Sequence, residues 1–173
     1  MVKGAAALGT LSYQGPAPAG GWQLQKARLY YNYSAKGIIQ SIVTQSNTQL
    51  LTFAYGTIVS QAVRVTNTAG QHVDFTWSGN YVSKVTDPVG NVWNYAYNAS
   101  GLLISVTSPG AAPDIRTYLY ENAADATLLT GISINGTRYS TYKYYADKRV
   151  QESGLAVGEE RDTFGYGERT RPR

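Results

Sequence analysis

The sequence predicts an all-β protein built from tandem antiparallel β-hairpins, about seven repeats of roughly 22 residues that form a curled, twisted sheet. Composition is the first reason: Tyr fills 15 of 173 positions and Gly 18, and aromatic residues combined with turn formers are typical of sheets. The second reason is an aromatic-x-aromatic triplet that recurs at a nearly constant interval. The third is that turn-forming residues separate the apolar stretches, which indicates short strands.

The aromatic triplet occurs seven times. Its two aromatic positions are Tyr31 and Tyr33, Phe53 and Tyr55, Phe75 and Trp77, Tyr95 and Tyr97, Tyr118 and Tyr120, Tyr142 and Tyr144, and Phe164 and Tyr166. The second aromatics follow one another at intervals of 22, 22, 20, 23, 24 and 22 residues, a period typical of repeat architectures. Residues two apart in a strand share a face. We therefore expect the tyrosines from Tyr95 to Tyr144 to be mostly buried and stacked across neighbouring strands.

Each repeat predicts two strands joined by a turn. In the clearest copy the first strand is Val92–Tyr97, the turn is 98–101 and the second strand is 102–107. Other second strands are predicted at 38–44, 58–66, 81–86 and 128–134, and the one helix-compatible stretch, 121–129, is short. Gly tolerates positive φ, Asn bonds its own backbone and Pro ends a strand. On these grounds the predicted turn residues are Gly37, Gly70, Asp87, Pro88, Gly90, Asn98, Gly101, Pro109, Gly110, Asn135 and Gly136.

Three segments are expected along the chain. Residues 1–21 form a flexible or loosely attached N-terminal segment, residues 22–167 the β-hairpin array, and residues 168–173 a basic C-terminal tail. The apolar stretch near the N-terminus is short and interrupted by glycine, so it predicts neither a signal peptide nor a membrane span.

With the repeat in view, a family resemblance can be stated. The run GNVWNYAYNASGL at 90–102 resembles the YD repeat, in which a glycine and Tyr-x-Tyr-Asp precede Gly-Arg-Leu. The runs RTYLYEN, LTGI, RYSTY and EERDTF between 116 and 164 are similar to a recurrent run of Rhs-type toxin proteins. The resemblance covers 70–167 well and 22–69 more loosely. The aspartate of the motif is mostly replaced, by Ser34, Gly56, Ser78, Asn98, Glu121, Tyr145 and Gly167.

The resemblance implies a role for the repeats. In Rhs proteins, Tc-toxin cocoon subunits and teneurins, YD repeats form a β-ribbon that spirals into a shell, and in bacterial members the shell encloses a toxic C-terminal segment. The resemblance thus implies a structural shell segment without catalysis, in a bacterial protein that is secreted or associated with the cell surface. Its partners would be toxin cargo or further repeats of a longer parent chain. Seven repeats are too few to enclose a folded domain, so we expect a fragment or an orphan piece.

A different function class stays open beside this one. An aromatic-rich β surface can stack on sugar rings, so a carbohydrate or cell-surface binding module is the alternative, with a glycan as its partner. The unpaired edges of an open sheet also predict self-association between chains.

Enzymatic and metal-dependent functions find little support in the residues. The chain has no Cys and a single His, His72, which shares a strand face with Asp74 and predicts a surface pair rather than a metal site. No Gly-x-Ser-x-Gly elbow occurs and the acidic residues are scattered, so no catalytic residue, cofactor or metal is predicted. The net charge is +4, and residues 168–173 supply 3 − 1 = +2 of it. We therefore expect neither nucleic-acid binding nor membrane insertion.

Overall fold

The protein consists of β-strands and turns. The computed structural model describes residues 10–13, 21–156, 158 and 160–167, and these contain fifteen strands and no helix. The strands are β1 (Thr10–Tyr13), β2 (Gly21–Lys26), β3 (Leu29–Ser34), β4 (Ile39–Thr44), β5 (Gln49–Tyr55), β6 (Ala62–Asn67), β7 (His72–Ser78), β8 (Tyr81–Thr86), β9 (Val92–Tyr97), β10 (Leu103–Thr107), β11 (Ile115–Leu119), β12 (Gly131–Ile134), β13 (Thr137–Tyr144), β14 (Val150–Leu155) and β15 (Arg161–Thr163). The predicted all-β fold of tandem antiparallel hairpins is confirmed.

The chain divides into two compact units, Met1–Asn91 and Val92–Arg173. In the N-terminal unit, β1 to β8 pair antiparallel in the order of the sequence. In the C-terminal unit, β9 to β15 do the same. Each hairpin therefore pairs with the hairpins before and after it within its unit, as short connections between consecutive strands favour.

Each unit is a single layer of sheet, because every strand in the described residues contacts only its sequence neighbours. Val43 is the one buried apolar residue of the described set, with 6% of its surface exposed. The tyrosines from Tyr95 to Tyr144 are half-buried. A ring on a single-layer sheet is covered by neighbouring side chains and by no second layer.

Three stretches differ from their predicted secondary structure, and one of them is the second strand predicted at 128–134, which begins only at Gly131. Residues 121–129 contain no helical turn, because side chains bind the backbone there: Asn122 Oδ1 accepts from the N–H groups of Ala124 and Asp125 at 2.9 and 3.1 Å. Such bonds favour turns over helix. The second strand predicted at 58–66 begins only at Ala62, since 58–61 form a turn closed by the Gln61 N–H on the Ile58 carbonyl at 2.9 Å.

An additional hairpin precedes the seven predicted repeats. Strand β1 lies inside the segment predicted to be loosely attached, and it pairs with β2 so that Leu11 faces Leu24. Tyr13 precedes Tyr33 by 33 − 13 = 20 residues, so the repeat period extends one step further toward the N-terminus. The rest of that segment, 1–9 and 14–20, and the predicted tail at 168–173 lie outside the described residues.

Six turns share one hydrogen-bond pattern, which the turn at Asp87 illustrates. The Asp87 N–H donates to the Asn91 carbonyl at 3.0 Å and the Gly90 N–H to the Asp87 carbonyl at 3.1 Å. Asp87 Oδ1 accepts from the N–H groups of Val89 and Asn91 at 2.9 and 2.8 Å. Asn67 and Asn98 repeat this pattern with their side-chain oxygens. The fourth position has positive φ at Gly37, Gly70, Gly90 and Gly101.

The remaining predicted turn residues also lie between strands. Pro88 is inside the Asp87 turn, Pro109 and Gly110 lie between β10 and β11, and Asn135 and Gly136 join β12 to β13 with φ of 50° and 82°. At Tyr145, where the motif's aspartate is replaced by an aromatic residue, the backbone bonds are kept and the Asp147 carboxylate accepts the Arg149 N–H at 3.1 Å. The turn therefore tolerates the substitution because a nearby carboxylate supplies the missing acceptor.

Replacing Gly90 by Ala should destabilise the fold by about 1 kcal/mol, because Gly90 has a φ of 90° that L-residues adopt only with strain. Its added methyl group would contact nothing, so the effect isolates backbone strain. The matched control is Gly165→Ala, at a position that is also open but lies outside the positive-φ region. Urea unfolding of both variants measures the difference, and equal stability would contradict the strained-turn interpretation.

Candidate functional site: the aromatic face

The strand registers gather the repeat aromatics on one face of each unit. In the N-terminal unit Tyr31 lies opposite Ile42, and Phe53 opposite Val65. In the C-terminal unit Tyr95 lies opposite Val106, and Tyr118 opposite Ile132. We call this the aromatic face of each unit; its predicted aromatics are Tyr31, Tyr33, Phe53, Tyr55, Phe75 and Trp77 in one unit, and Tyr95, Tyr97, Tyr118, Tyr120, Tyr142 and Tyr144 in the other.

The opposite face of the N-terminal unit, its polar face, carries a row of bonded polar side chains. The Gln23 amide donates to Asn32 Oδ1 at 2.9 Å, and the Asn32 amide donates to Ser41 Oγ at 3.0 Å. Thr52 and Thr66 continue the row, and the Thr52 hydroxyl donates to the Thr66 carbonyl at 3.3 Å. Cross-strand polar pairs of this kind stabilise a sheet face that stays in contact with water.

In four repeats a recurrent hydrogen bond links the repeat to the one before it. The second aromatic of a triplet donates its hydroxyl or indole proton to a backbone carbonyl 15 to 17 residues earlier. The bonds run from Tyr55 to Ile39 at 2.5 Å, from Trp77 to Ala62 at 2.8 Å, from Tyr120 to Leu103 at 3.1 Å and from Tyr144 to Leu129 at 2.8 Å. We call this contact the inter-repeat bond.

The acceptor carbonyls lie beside irregularities of the ladder. Ile39, Ala62 and Leu103 each pair with the second aromatic of their own repeat, and each is followed by an extra residue that forms a β-bulge. A bulge disrupts the regular ladder, so a carbonyl beside it needs another donor. The phenol or indole of the next repeat supplies that donor. This explains why an aromatic residue with a polar tip occupies the second position.

Two of these tyrosines have altered acidities. Burial raises the pKa of Tyr55. The pKa of Tyr144 is also raised, first by burial and then by the nearby Tyr142 phenol. Both effects favour the neutral, hydrogen-donating form of the side chain.

The last predicted aromatic pair lies outside the ladder. Phe164 and Tyr166 follow β15 and are 41% and 45% exposed. Tyr166 packs edge-on against Tyr145, with ring centroids 6.1 Å apart, and the Arg149 guanidinium lies 4.4 Å from the Tyr166 ring centre. The Tyr145 hydroxyl donates to the Phe164 carbonyl at 3.0 Å. This segment therefore folds back on the turn between β13 and β14.

A shallow pocket of about 300 Å³ opens on the aromatic face of the C-terminal unit, and its lining residues are Trp93, Val106, Ser108, Asp114, Arg116, Tyr118 and Ile134. Arg116 lies between Val106 and Ile134 in register, so a guanidinium stands among apolar neighbours. Sequence analysis did not find this pocket, because its residues come from four strands and a turn. The available signal was a lone arginine two residues before Tyr118, on a face that is otherwise apolar.

The surface pair expected of His72 and Asp74 forms on the polar face of the N-terminal unit. Arg64 lies opposite Asp74, and its Nε and one terminal nitrogen donate to the carboxylate at 2.5 and 2.8 Å. His72 Nε2 is 3.7 Å from the same carboxylate. The hydrogen bond from Arg64 is the main cause that lowers the pKa of Asp74. The carboxylate is thus engaged in a cross-strand ion pair.

Within the described ranges, no three His, Cys, Asp or Glu side chains come together as metal ligands. No helix that could cross a bilayer occurs among those residues.

Comparison with known proteins gives one family. The family model described as RHS Repeat matches residues 78–112, which contain β8, β9, β10 and the turns between them. The match supports an assignment of these repeats to the Rhs/YD-repeat family. The match contains the run at 90–102 that carried the resemblance, so the family prediction is confirmed. No curated protein matches the chain.

The RHS repeat is a structural repeat, found in secreted or cell-surface bacterial proteins. In this chain the inter-repeat bond and the bulge are the features that give the aromatic positions their structural role.

Removing the Tyr120 hydroxyl should cost about 1 kcal/mol of stability, the usual net value of a hydrogen bond to a protected carbonyl. The variant is Tyr120→Phe, and urea unfolding measures the change. Tyr118→Phe is the matched control two residues away, because the Tyr118 hydroxyl has no hydrogen-bond partner among the described residues. The control should lose less than about 0.5 kcal/mol, and equal losses would show that the inter-repeat bond does not contribute.

Stability should fall as the pH rises above about 10, the ordinary pKa of tyrosine. Because the pKa values of Tyr55 and Tyr144 are raised in the folded state, the unfolded chain loses its phenol protons first. The stabilisation that these two neutral phenols contribute is complete below pH 10. It is lost as the pH rises through the pKa values of Tyr55 and Tyr144 in the folded state. The double variant Tyr55→Phe, Tyr144→Phe should show a flatter decline in urea melts between pH 9 and about 11; an unchanged slope would refute this assignment.

Proposed function

We propose that this chain is a structural wall segment of an Rhs-type protein, of the kind that encloses a toxic C-terminal cargo in secreted polymorphic toxins. It performs no catalysis of its own and acts outside the bacterial cell or at its surface. In this role the aromatic face is covered by cargo or by further parts of the wall, and the polar face meets water.

The observation that supports the wall role is the single-layer construction of each unit. Strands contact only their sequence neighbours, so hairpins can be added without rearranging those already present. The two faces differ sharply, since bonded amides and hydroxyls lie on one and half-buried Tyr, Trp, Val and Ile side chains on the other. An exposed apolar face of this extent marks a surface that contacts another protein or a ligand.

A second candidate function is favoured by the pocket at Trp93. A pocket that combines aromatic rings with a hydroxyl, a carboxylate and a guanidinium has the groups that stack on a sugar ring and bind its polar substituents. Carbohydrate binding would leave the aromatic face open at this pocket. The wall role would cover it.

Chemical labelling of tyrosines tests the wall role. Nitration should modify Tyr95, Tyr118 and Tyr142 in the 173-residue chain, and mass spectrometry should show them protected in the product of the complete natural open reading frame. Tyr81 is the internal control, because it lies opposite Ser78 on the polar face, is 43% exposed and should react in both proteins.

Two outcomes would contradict the wall role. One is that the aromatic-face tyrosines react equally in both proteins, since a covered face would be shielded. The other is an open reading frame that encodes no further aromatic-x-aromatic hairpins at the same period, since seven repeats alone cannot form an enclosing wall.

A further inference from the structure

Asn135 and Gly136 form the tip of the hairpin between β12 and β13. They are the one Asn-Gly pair in the sequence, since every other asparagine is followed by Tyr, Thr, Val or Ala. Both residues are exposed, and their φ values of 50° and 82° belong to the two-residue turn that Asn-Gly favours. An asparagine before glycine loses its side-chain amide more readily than one before any larger residue, because glycine has no side chain to shield its backbone nitrogen. The turn therefore carries a reactive amide at a position open to water.

The side chain of Asn135 is bound to residues of the neighbouring hairpin. Its Nδ2 donates to Asp114 Oδ1 at 2.8 Å, and its Oδ1 accepts the Ile115 N–H at 2.8 Å. The Asn135 N–H also donates to the Ile115 carbonyl at 2.9 Å. Asp114 is itself fixed, since its N–H donates to Ser108 Oγ at 2.8 Å. Asn135 thus joins the turn at 135–136 to the loop between β10 and β11.

We propose that Asn135 is a site of spontaneous deamidation, that Asp114 protects it in the folded chain, and that its conversion weakens the C-terminal unit. In the reaction the Gly136 backbone nitrogen attacks Cγ of Asn135, and the new N–C bond closes a succinimide ring. The Cγ–Nδ2 bond breaks, and the amide leaves as ammonia with the proton of the Gly136 N–H. Water then opens the ring at either carbonyl and gives aspartate or isoaspartate. Water is the only co-reactant.

The protection follows from the two hydrogen bonds of the side-chain amide. Ring closure requires Cγ of Asn135 to turn toward the Gly136 nitrogen, but Asp114 and Ile115 hold both polar atoms of the amide. The amide must therefore leave these two partners before it reacts, in a local opening of the structure. A net hydrogen bond to a carboxylate lowers the population of the released side chain about tenfold. Deamidation in the folded chain should be slower by this factor.

The weakening follows from what the two products do at the same contact. A carboxylate at position 135 cannot donate to Asp114 and faces it with a like charge. Isoaspartate also lengthens the main chain by one carbon atom, which disturbs the pairing of Ile134 with Thr137 across a two-residue turn. Either product therefore loosens the junction between the turn at 135–136 and the loop before β11.

Peptide mapping by mass spectrometry of the full chain, aged at mildly alkaline pH, tests the site. Trypsin releases residues 117–138 as one peptide, which contains both Asn122 and Asn135. We expect fragment masses to place the conversion at Asn135, while Asn122, which is followed by Ala, stays intact. Conversion should be faster in urea, where the unfolded chain has lost the bond to Asp114. An intact Asn135 would refute the site, and equal rates with and without urea would refute its protection.

Variants of Asp114 test the protection in the folded chain. Asp114→Ala should raise the rate at Asn135 about tenfold, since one charge-assisted hydrogen bond is lost. Asp114→Asn keeps an oxygen acceptor and should raise the rate less. Asp162→Ala is the matched control, because it removes an exposed carboxylate of the same unit and should leave the rate unchanged.

An unchanged or slower rate in Asp114→Ala would refute the protective role. If circular dichroism shows that Asp114→Ala is unfolded, Asp114→Asn decides, and a rate no faster than that of the original chain refutes the role.

Asn135→Asp reproduces one product and tests the weakening. It should lower the melting temperature by a few degrees, and by less in the Asp114→Asn background, where the like charge is absent. An unchanged melting temperature would refute the weakening, and equal losses in both backgrounds would refute charge repulsion as its cause. None of these outcomes bears on the wall role, which the tyrosine labelling tests separately.

Discussion

The bond from the second aromatic of one repeat to the backbone of the preceding repeat is the contact on which the rest of the structure depends. A single-layer sheet has no opposite layer to position its hairpins, so neighbouring hairpins must position each other. The backbone hydrogen bonds between strands supply part of this positioning, but a β-bulge interrupts them in each regular repeat. The side chains of Tyr55, Trp77 and Tyr120 bind the carbonyls that lie beside the bulges. The same residues thus supply the hydrogen bonds that the bulges remove and set the distance between repeats.

This construction divides the two faces by chemistry. The bulge and the inter-repeat bond hold the repeat aromatics on the aromatic face. On the polar face, the amide groups of Gln23 and Asn32 form hydrogen bonds along a row that ends at Ser41. Because the phenol tips of Tyr55, Tyr120 and Tyr144 donate to backbone carbonyls, these residues present ring surfaces and no free hydroxyls on the aromatic face. A surface of this kind suits a covering partner with apolar groups, and this is the physical basis of the wall proposal.

Arg116 is the local exception to that pattern. Its strand neighbours are Val106 and Ile134, and its charged side chain is exposed beside them. In a covered wall the same side chain would meet whatever fills the face. The wall proposal requires the pocket at Arg116 and Trp93 to be covered. The carbohydrate proposal requires the same pocket to be open to solvent.

The sequence by itself determined the fold class, the resemblance to a repeat family and the spacing of the repeats. These depend on local and periodic properties: alternation puts Tyr95 and Tyr97 on one face, and Asp87 and Gly90 specify a turn through bonds within five residues. Half-burial of the aromatics could not be predicted, because composition does not tell whether a second layer exists. The hairpin of β1 and β2 was missed because Leu11 takes the first aromatic position of the repeat.

Tertiary structure alone decided the bulges, the inter-repeat bonds and the pocket. A bulge shifts the register by one residue, so which carbonyl needs a donor, such as that of Leu103, depends on pairing between strands. The pocket brings Trp93, Arg116 and Ile134 together from three strands spread over more than 40 residues. The local sequence of a single strand does not specify that these residues lie close together, because their proximity follows from the order and register in which β9 to β12 pair.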